Sequence, residues 1–132
     1  MATFTRIAPR YPSEDLPRTI EFYTQKLGFN LDLAWPEEAP TFCLLERDQV
    51  TLGFFAVTDS HCRGPVTIGA SELFIEIEDA QGLFEAIKGQ VTIDWGPEVY
   101  FYGRREFAVK DPDGYLLIFS EETDDPPTVE EE

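Results

Sequence analysis

Glu72-Leu73-Phe74-Ile75-Glu76-Ile77-Glu78-Asp79-Ala80-Gln81-Gly82-Leu83-Phe84-Glu85-Ala86-Ile87-Lys88-Gly89 changes its hydrophobic period once, at Asp79. Before it, Leu73, Ile75 and Ile77 alternate with Glu72, Phe74 and Glu76, which is the pattern of a strand with one face packed against a core. After it, residues 79–88 read as a short helix stopped by Gly89. Further along, residues 91–95, 105–109 and 115–120 read as strands, and Asp111-Pro112-Asp113-Gly114 is a tight turn before the last of them. The order is strand, helix, three strands.

Read outward toward the N-terminus, the same order occurs again. Residues 4–11 alternate crudely and predict a strand, with Pro9 marking an edge or irregular position. Ser13 or Asp15 can cap a helix in which Leu16, Ile20, Tyr23 and Leu27 recur at helical spacing, and Gly28 ends it. Strands are predicted at Asn30–Trp35, 41–46 and 50–57, and a loop containing Asp59, Ser60, Gly64 and Pro65 separates the halves. Asp15 opens the first helix and Asp79 the second, while Asp48 and Asp111 sit in the last turns. The intervals, 48 − 15 = 33 and 111 − 79 = 32, are nearly equal. The chain therefore predicts an α+β fold of two βαβββ modules, about residues 4–57 and 72–122, within one domain over 1–122. Each module alone would expose one face of a four-stranded sheet. Pairing them would bury part of those faces and leave a groove.

Composition narrows the function classes. With 26 acids against 10 bases the net charge is −16. The last twelve residues, 121–132, hold seven acids and no base, so the body without them carries 19 acids and 10 bases, a net of −9. Residues 123–132 are expected to be a solvated, disordered acidic tail. Such a surface repels phosphate backbones, so no nucleic-acid partner is expected. It either serves solubility or attracts a cationic small molecule. No apolar run approaches a membrane span, and Met1-Ala2-Thr3-Phe4-Thr5-Arg6 has neither region of a secretory leader, so a cytoplasmic location without membrane contact is expected. The two cysteines agree with a reducing compartment: Cys43 reads as a buried strand residue and Cys62 as a loop thiol.

Two stretches carry a family likeness. Asp15-Leu16-Pro17-Arg18-Thr19-Ile20-Glu21-Phe22-Tyr23-Thr24-Gln25-Lys26-Leu27-Gly28-Phe29 resembles the first helix of the vicinal oxygen chelate superfamily, and Gly103-Arg104-Arg105-Glu106-Phe107-Ala108-Val109-Lys110-Asp111-Pro112-Asp113-Gly114-Tyr115 resembles its last hairpin. The second is closest to the bleomycin resistance branch, in which an aromatic-Gly-x-Arg-Glu-Phe run precedes Asp-Pro-x-Gly. The likeness spans about residues 4–122. It departs from that branch in having Tyr102 where tryptophan is frequent, and in the acidic tail. The resemblance implies two modules whose sheets form a cup with helices outside. Enzymes of the superfamily, such as glyoxalase I and extradiol dioxygenases, place metal ligands on the first and last strand of each module. Counted from the helix starts and the strand positions, those places fall at about Ala8, Gly53, Glu72 and Ile118. Three of the four cannot ligate a metal. The only histidine, His61, lies in the inter-module loop. No metal, no cofactor and no metal-dependent reaction are therefore expected.

A cup without chelators would bind by apolar contact, stacking and charge. Trp35 and Trp95 end equivalent strands, and Phe55, Phe74 and Ile118 fall on the inward face by alternation. Three consecutive aromatics, Tyr100, Phe101 and Tyr102, cannot all share one face; Tyr100 and Tyr102 are assigned to the groove. Glu72 and Glu76, if inward, need a cationic ligand or an internal arginine, with Arg10 and Arg105 as the candidates. The resemblance further implies a homodimer with grooves between chains, sometimes with an exchanged N-terminal strand, that sequesters a cationic planar antibiotic without transforming it. The alternatives are a diverged glyoxalase- or dioxygenase-like metalloenzyme, and an interaction module whose groove is plugged by its own side chains or tail.

Overall fold

The structure, a computed structural model, describes residues 1–58 and 66–129. Asp59, His61 and Cys62, singled out in the sequence, lie outside the described residues. The chain forms two compact units, Met1–Ile68 and Gly69–Glu132. The first contains β1 (Arg10–Ser13), α1 (Leu16–Glu21) continued by a π-helical turn (Phe22–Lys26), β2 (Asn30–Trp35), β3 (Phe42–Arg47) and β4 (Val50–Ala56). The second contains β5 (Glu72–Glu76), α2 (Ala80–Ile87), β6 (Thr92–Tyr100), β7 (Arg104–Lys110) and β8 (Leu116–Glu122). Both sheets are mixed and share one topology, β1-β4-β3-β2 and β5-β8-β7-β6. The first and last strands of each unit pair in parallel, and the other pairings are antiparallel. This is the α+β architecture of two βαβββ modules.

A parallel pair cannot be closed by a tight turn, so the chain must cross over one face of the sheet, and the helix is that crossover. Its start is fixed by an aspartate in each unit. Asp15 accepts the Arg18 N–H at 3.1 Å, and Asp79 accepts the Gly82 N–H at 3.0 Å. α2 has a second cap from across the unit: the Glu121 carboxylate accepts the Asp79 N–H at 2.7 Å and the Ala80 N–H at 3.0 Å. These are the N–H groups that a helix start leaves without partners. Beneath α1, the fully buried Tyr23 packs against Phe54, Phe29 and Phe22 with ring centroids 5.1–5.4 Å apart. Beneath α2, Phe107 meets Phe84 and Phe119 at 5.5 and 5.2 Å, with Leu73, Ile75, Ile87, Val109 and Leu117 closing the core.

Four sequence expectations change here. The first strand is not 4–11 but Arg10–Ser13. Residues 1–9 stay outside the sheet, and the ladder opens where the Pro9 carbonyl accepts the Gly53 N–H at 2.7 Å. Pro9 has no N–H to contribute. The second strand of the second unit does not end at Trp95 but runs to Tyr100 past Gly96-Pro97, its pairing with β7 shifting register twice. Gly96 has φ +80°, and a Cβ there would lie 2.4 Å from the Glu106 carbonyl, so this bulge requires glycine. The helical pattern over 15–27 divides into an α and a π segment, with Thr24 donating its hydroxyl to the Ile20 carbonyl at 2.8 Å. Finally, residues 123–129 are not free of contacts, although Asp124, Asp125, Pro126, Pro127 and Thr128 are exposed. They fold back onto the second unit through Thr123, Asp125 and Thr128.

Glu121→Ala removes both accepted bonds at the start of α2, and urea denaturation should show a loss of about 1–2 kcal/mol. Gly96→Ala should cost more than Glu121→Ala in the same assay, because the methyl collides with backbone rather than with a movable side chain.

Candidate functional site

The helix covers one face of each sheet and leaves the other open. In β5, Leu73 and Ile75 are buried while Glu72, Phe74 and Glu76 are exposed. In β8, Leu117 and Phe119 are buried beneath the helix, and Leu116 and Ile118 on the opposite face are half-buried. Cross-strand partners share a face, so the register arranges the open side of the second sheet in rows. One row is apolar and crosses all four strands: Phe74, Ile118, Ala108, Trp95. The next is Glu76, Ser120, Glu106, Glu98. A third holds Glu122, Arg104 and Tyr100.

The middle row is a polar network directly beside the apolar row. Glu106 is 3% exposed, and it accepts the Ser120 hydroxyl at 2.7 Å and the Tyr102 hydroxyl in a short hydrogen bond. Ser120, fully buried, accepts in turn from Arg104 Nε at 2.5 Å. Arg104 sends its other arm to Glu76 at 2.6 Å and lies over the Phe74 ring at 5.5 Å. The partner of Glu76 is therefore Arg104, and neither Arg10 nor Arg105 takes that place. Arg105 pairs with Asp125, and Arg10 stands over the Phe42 ring at 4.3 Å. Glu72 is exposed and finds no cationic partner among the described residues. The row and its neighbour Glu122 set four carboxylates against one guanidinium. Tyr100 stacks on Tyr102 with centroids 5.7 Å apart and planes 6° from parallel, and Trp95 meets Tyr100 edge-on at 5.9 Å. Burial pushes the Tyr102 phenol up to about 12, helped by its bond to Glu106 and by that carboxylate's charge. Tyr100 is raised for the same first cause, then by Glu106 and Glu98.

The open face of the first sheet is aromatic. Trp35, Phe42, Phe55 and Pro12 form one row across it, with Leu33, Leu44, Gly53 and Arg10 beside them. Trp35 is 65% exposed, while Phe42 and Phe55 are half-buried. Trp35 and Phe55 thus lie on the first unit's open face. Glu72, Phe74, Glu76, Trp95, Tyr100 and Ile118 lie on the second's, with Tyr102 in the turn beside it. Glu106 and Arg104 were missed. The signal was present in the alternation of Glu106, Ala108 and Lys110 against the buried Phe107 and Val109.

The residues at the positions where metalloenzymes of this fold hold their ion do not suit one. Ala8 and Ile118 offer no donor, and a Cβ on Gly53 would meet the Pro9 carbonyl at 2.9 Å, so no ligating side chain fits there. Among the described residues no three His, Cys, Asp or Glu side chains converge as metal ligands do. Cys43 is fully buried and its thiol is pushed up to about 11, which removes it as a nucleophile.

Comparison with known proteins agrees with this architecture. The family model described as the Glyoxalase/Bleomycin resistance protein/Dioxygenase superfamily matches residues 4–119. A bleomycin resistance protein of Geobacillus stearothermophilus is 29% identical over 125 residues, covering 84% of this chain and 92% of its own. Among solved structures, the bleomycin-binding protein of Streptomyces verticillus, complexed with copper(II)-bleomycin, superposes with a TM-score of 0.64 at 26% identity, covering 90% of this chain and 97% of its own. TioX of Micromonospora sp. ML1 shares the fold at a TM-score of 0.79 and 17% identity, covering 90% of this chain and 99% of its own. Two βαβββ units with this strand order, and a family match over nearly the whole chain, make it a member of the glyoxalase/bleomycin resistance protein/dioxygenase superfamily.

Proposed function

We propose that this protein binds a planar, cationic small molecule of the bleomycin type and sequesters it without chemical change. The observation that carries the reading is the pair of rows on the open face of the second sheet. An apolar row ending in Phe74 and Trp95 runs beside a row carrying three carboxylates and lacking an equal number of cations. A flat apolar ring system fits the first, and a positive substituent fits the second. The similarity to bleomycin resistance proteins supports the same ligand class. The ligand-facing set is Trp35, Phe55, Glu72, Phe74, Glu76, Trp95, Tyr100, Tyr102 and Ile118. The binding groove is taken to lie between chains of a homodimer in the cytoplasm. A diverged metalloenzyme is the poorer reading, since Ala8, Gly53 and Ile118 supply no ligands.

Tyr102 contributes a neutral ring. Its hydroxyl is committed to Glu106, and the raised value keeps the phenol protonated at every pH a cell reaches. The folded value lies above the ordinary one near 10. The associated stability is therefore whole below pH 10 and is lost as the pH rises toward 12.

Titration with bleomycin should quench tryptophan fluorescence saturably at micromolar ligand, and Phe74→Ala should raise Kd by about tenfold. Absence of a saturable change in the parent protein would remove the bleomycin assignment. Sedimentation at matched concentrations should show a dimer; a monomer that still binds would place the groove within one chain. Alkaline absorbance titration of the parent minus Tyr102→Phe should reveal a phenol ionising near 12, and Glu106→Gln should bring that step down toward 10.

A further inference from the structure

Glu98 and Glu106 are cross-strand partners, and like charges in that relation repel. Each is quieted by neutral donors. Glu106 has the hydroxyls of Tyr102 and Ser120. Among the described residues Glu98 has one donor, and it comes from the C-terminal segment. After β8 the Thr123 N–H donates to the Gly103 carbonyl at 3.0 Å, and Asp125 pairs with Arg105. The chain then returns along β6 to Thr128. There the Thr128 N–H donates to the Val99 carbonyl at 2.8 Å, the Val99 N–H donates to Thr128 Oγ1 at 2.7 Å, and the Thr128 hydroxyl donates to Glu98 in a short hydrogen bond.

β6 is the edge strand of its sheet, so Thr128 occupies the seat an added strand would take. The seat is one residue long. Pro126 and Pro127 have no N–H and cannot extend the pairing. The second anchor, Arg105 with Asp125, is a partly exposed ion pair of the kind that holds little. A segment fastened at so few points opens readily. Its contact with Glu98 is the kind of contact a ligand's positive group would make.

We propose that residues 123–128 are a latch on the candidate site. Docked, Thr128 stands in for a cation at Glu98; released, it frees that carboxylate, beside Glu106 and the Tyr100 and Trp95 rings, to meet the positive group of a ligand. The proposal rests on the cationic-ligand reading above, and it adds that the ligand competes with the chain's own C-terminal segment. Binding of the ligand should accordingly undock the segment.

Thr128→Pro tests this without altering net charge, because proline removes both the N–H and the hydroxyl. The two probes are bleomycin and spermidine, each measured by tryptophan fluorescence at fixed ionic strength, with amide exchange at Val99 as an independent readout. In Thr128→Pro the Val99 amide should exchange at least about tenfold faster, and both probes should bind about fivefold tighter, the worth of one competing hydrogen bond. Adding Glu98→Gln should abolish the gain. Unchanged exchange at Val99, or faster exchange with neither probe bound more tightly, overturns the latch. Tighter spermidine binding with no bleomycin binding by either protein supports the latch and removes the bleomycin assignment instead.

Discussion

The parallel pairing of the first strand with the last strand in each unit constrains everything else. Arg10 opposite Gly53, and Phe74 opposite Ile118, can be brought side by side only if the intervening chain leaves the sheet and returns. The helix that makes this excursion carries an apolar stripe, and burying that stripe assigns one face of the sheet to the core. The opposite face then has no helix to cover it, and side chains placed there are released from the demand for apolar packing. Asp15 and Asp79 matter because they fix where each excursion begins. A helix starting one residue later would rotate its stripe by about 100° and lose its seat. The site is thus a consequence of the crossover: what the helix cannot reach becomes available for recognition.

On that open face the second unit concentrates charge at a cost. A carboxylate buried as deeply as Glu106 is unfavourable unless its oxygens are satisfied, and here two hydroxyls satisfy them while the nearest guanidinium is turned toward Glu76 and Ser120. A purely structural role would be served better by an apolar residue or by a direct pair with Arg104. Held by neutral donors, Glu106 keeps its place on the floor without a direct ion pair among the described residues. Gly53 marks the opposite decision in the first unit. The Pro9 carbonyl lies where a side chain would begin, so the equivalent of a ligand position is closed by backbone, and the face is given over to Phe42, Phe55 and Trp35 with Arg10 above them.

Much of this was legible in the residues. The alternation through Glu72–Glu76, the aspartates at the helix starts, and the equal spacing of Asp48 and Asp111 gave the two modules and the faces of their strands, because period and capping are local properties. What was not legible depended on non-local partners. Gly96-Pro97 reads as a strand breaker, yet β7 tolerates it by shifting register twice. The partner of Glu76 is Arg104 and not Arg10 or Arg105: alternation puts Arg104 on the face of Glu106 and Arg105 on the face of Phe107, but that Glu76 is the group Arg104 reaches depends on β8 lying between their strands. Glu106 lies inside a family-like motif, so it reads as a signature before it reads as a charged group that needs partners. Composition alone makes residues 123–129 an acidic tail, and composition does not register that a single threonine can fill an edge.

The position of that acidic segment on an acidic unit looks self-defeating until its contacts are separated by charge. The points that touch are Thr123 and Thr128, both neutral, and Asp125, which meets one of the few arginines. Asp124, the other acid among the described residues of the segment, is exposed. Repulsion among the carboxylates is therefore opposed by a small number of short-range hydrogen bonds, and the two differ in their response to the environment. Salt weakens the long-range repulsion and leaves the hydrogen bonds almost unchanged, whereas a bound cation removes the reason for Thr128 to hold Glu98. On the proposed reading the net charge of −16 serves two ends at once: it would draw cations toward the open face from a distance, and it would keep the segment that occupies Glu98 only lightly held.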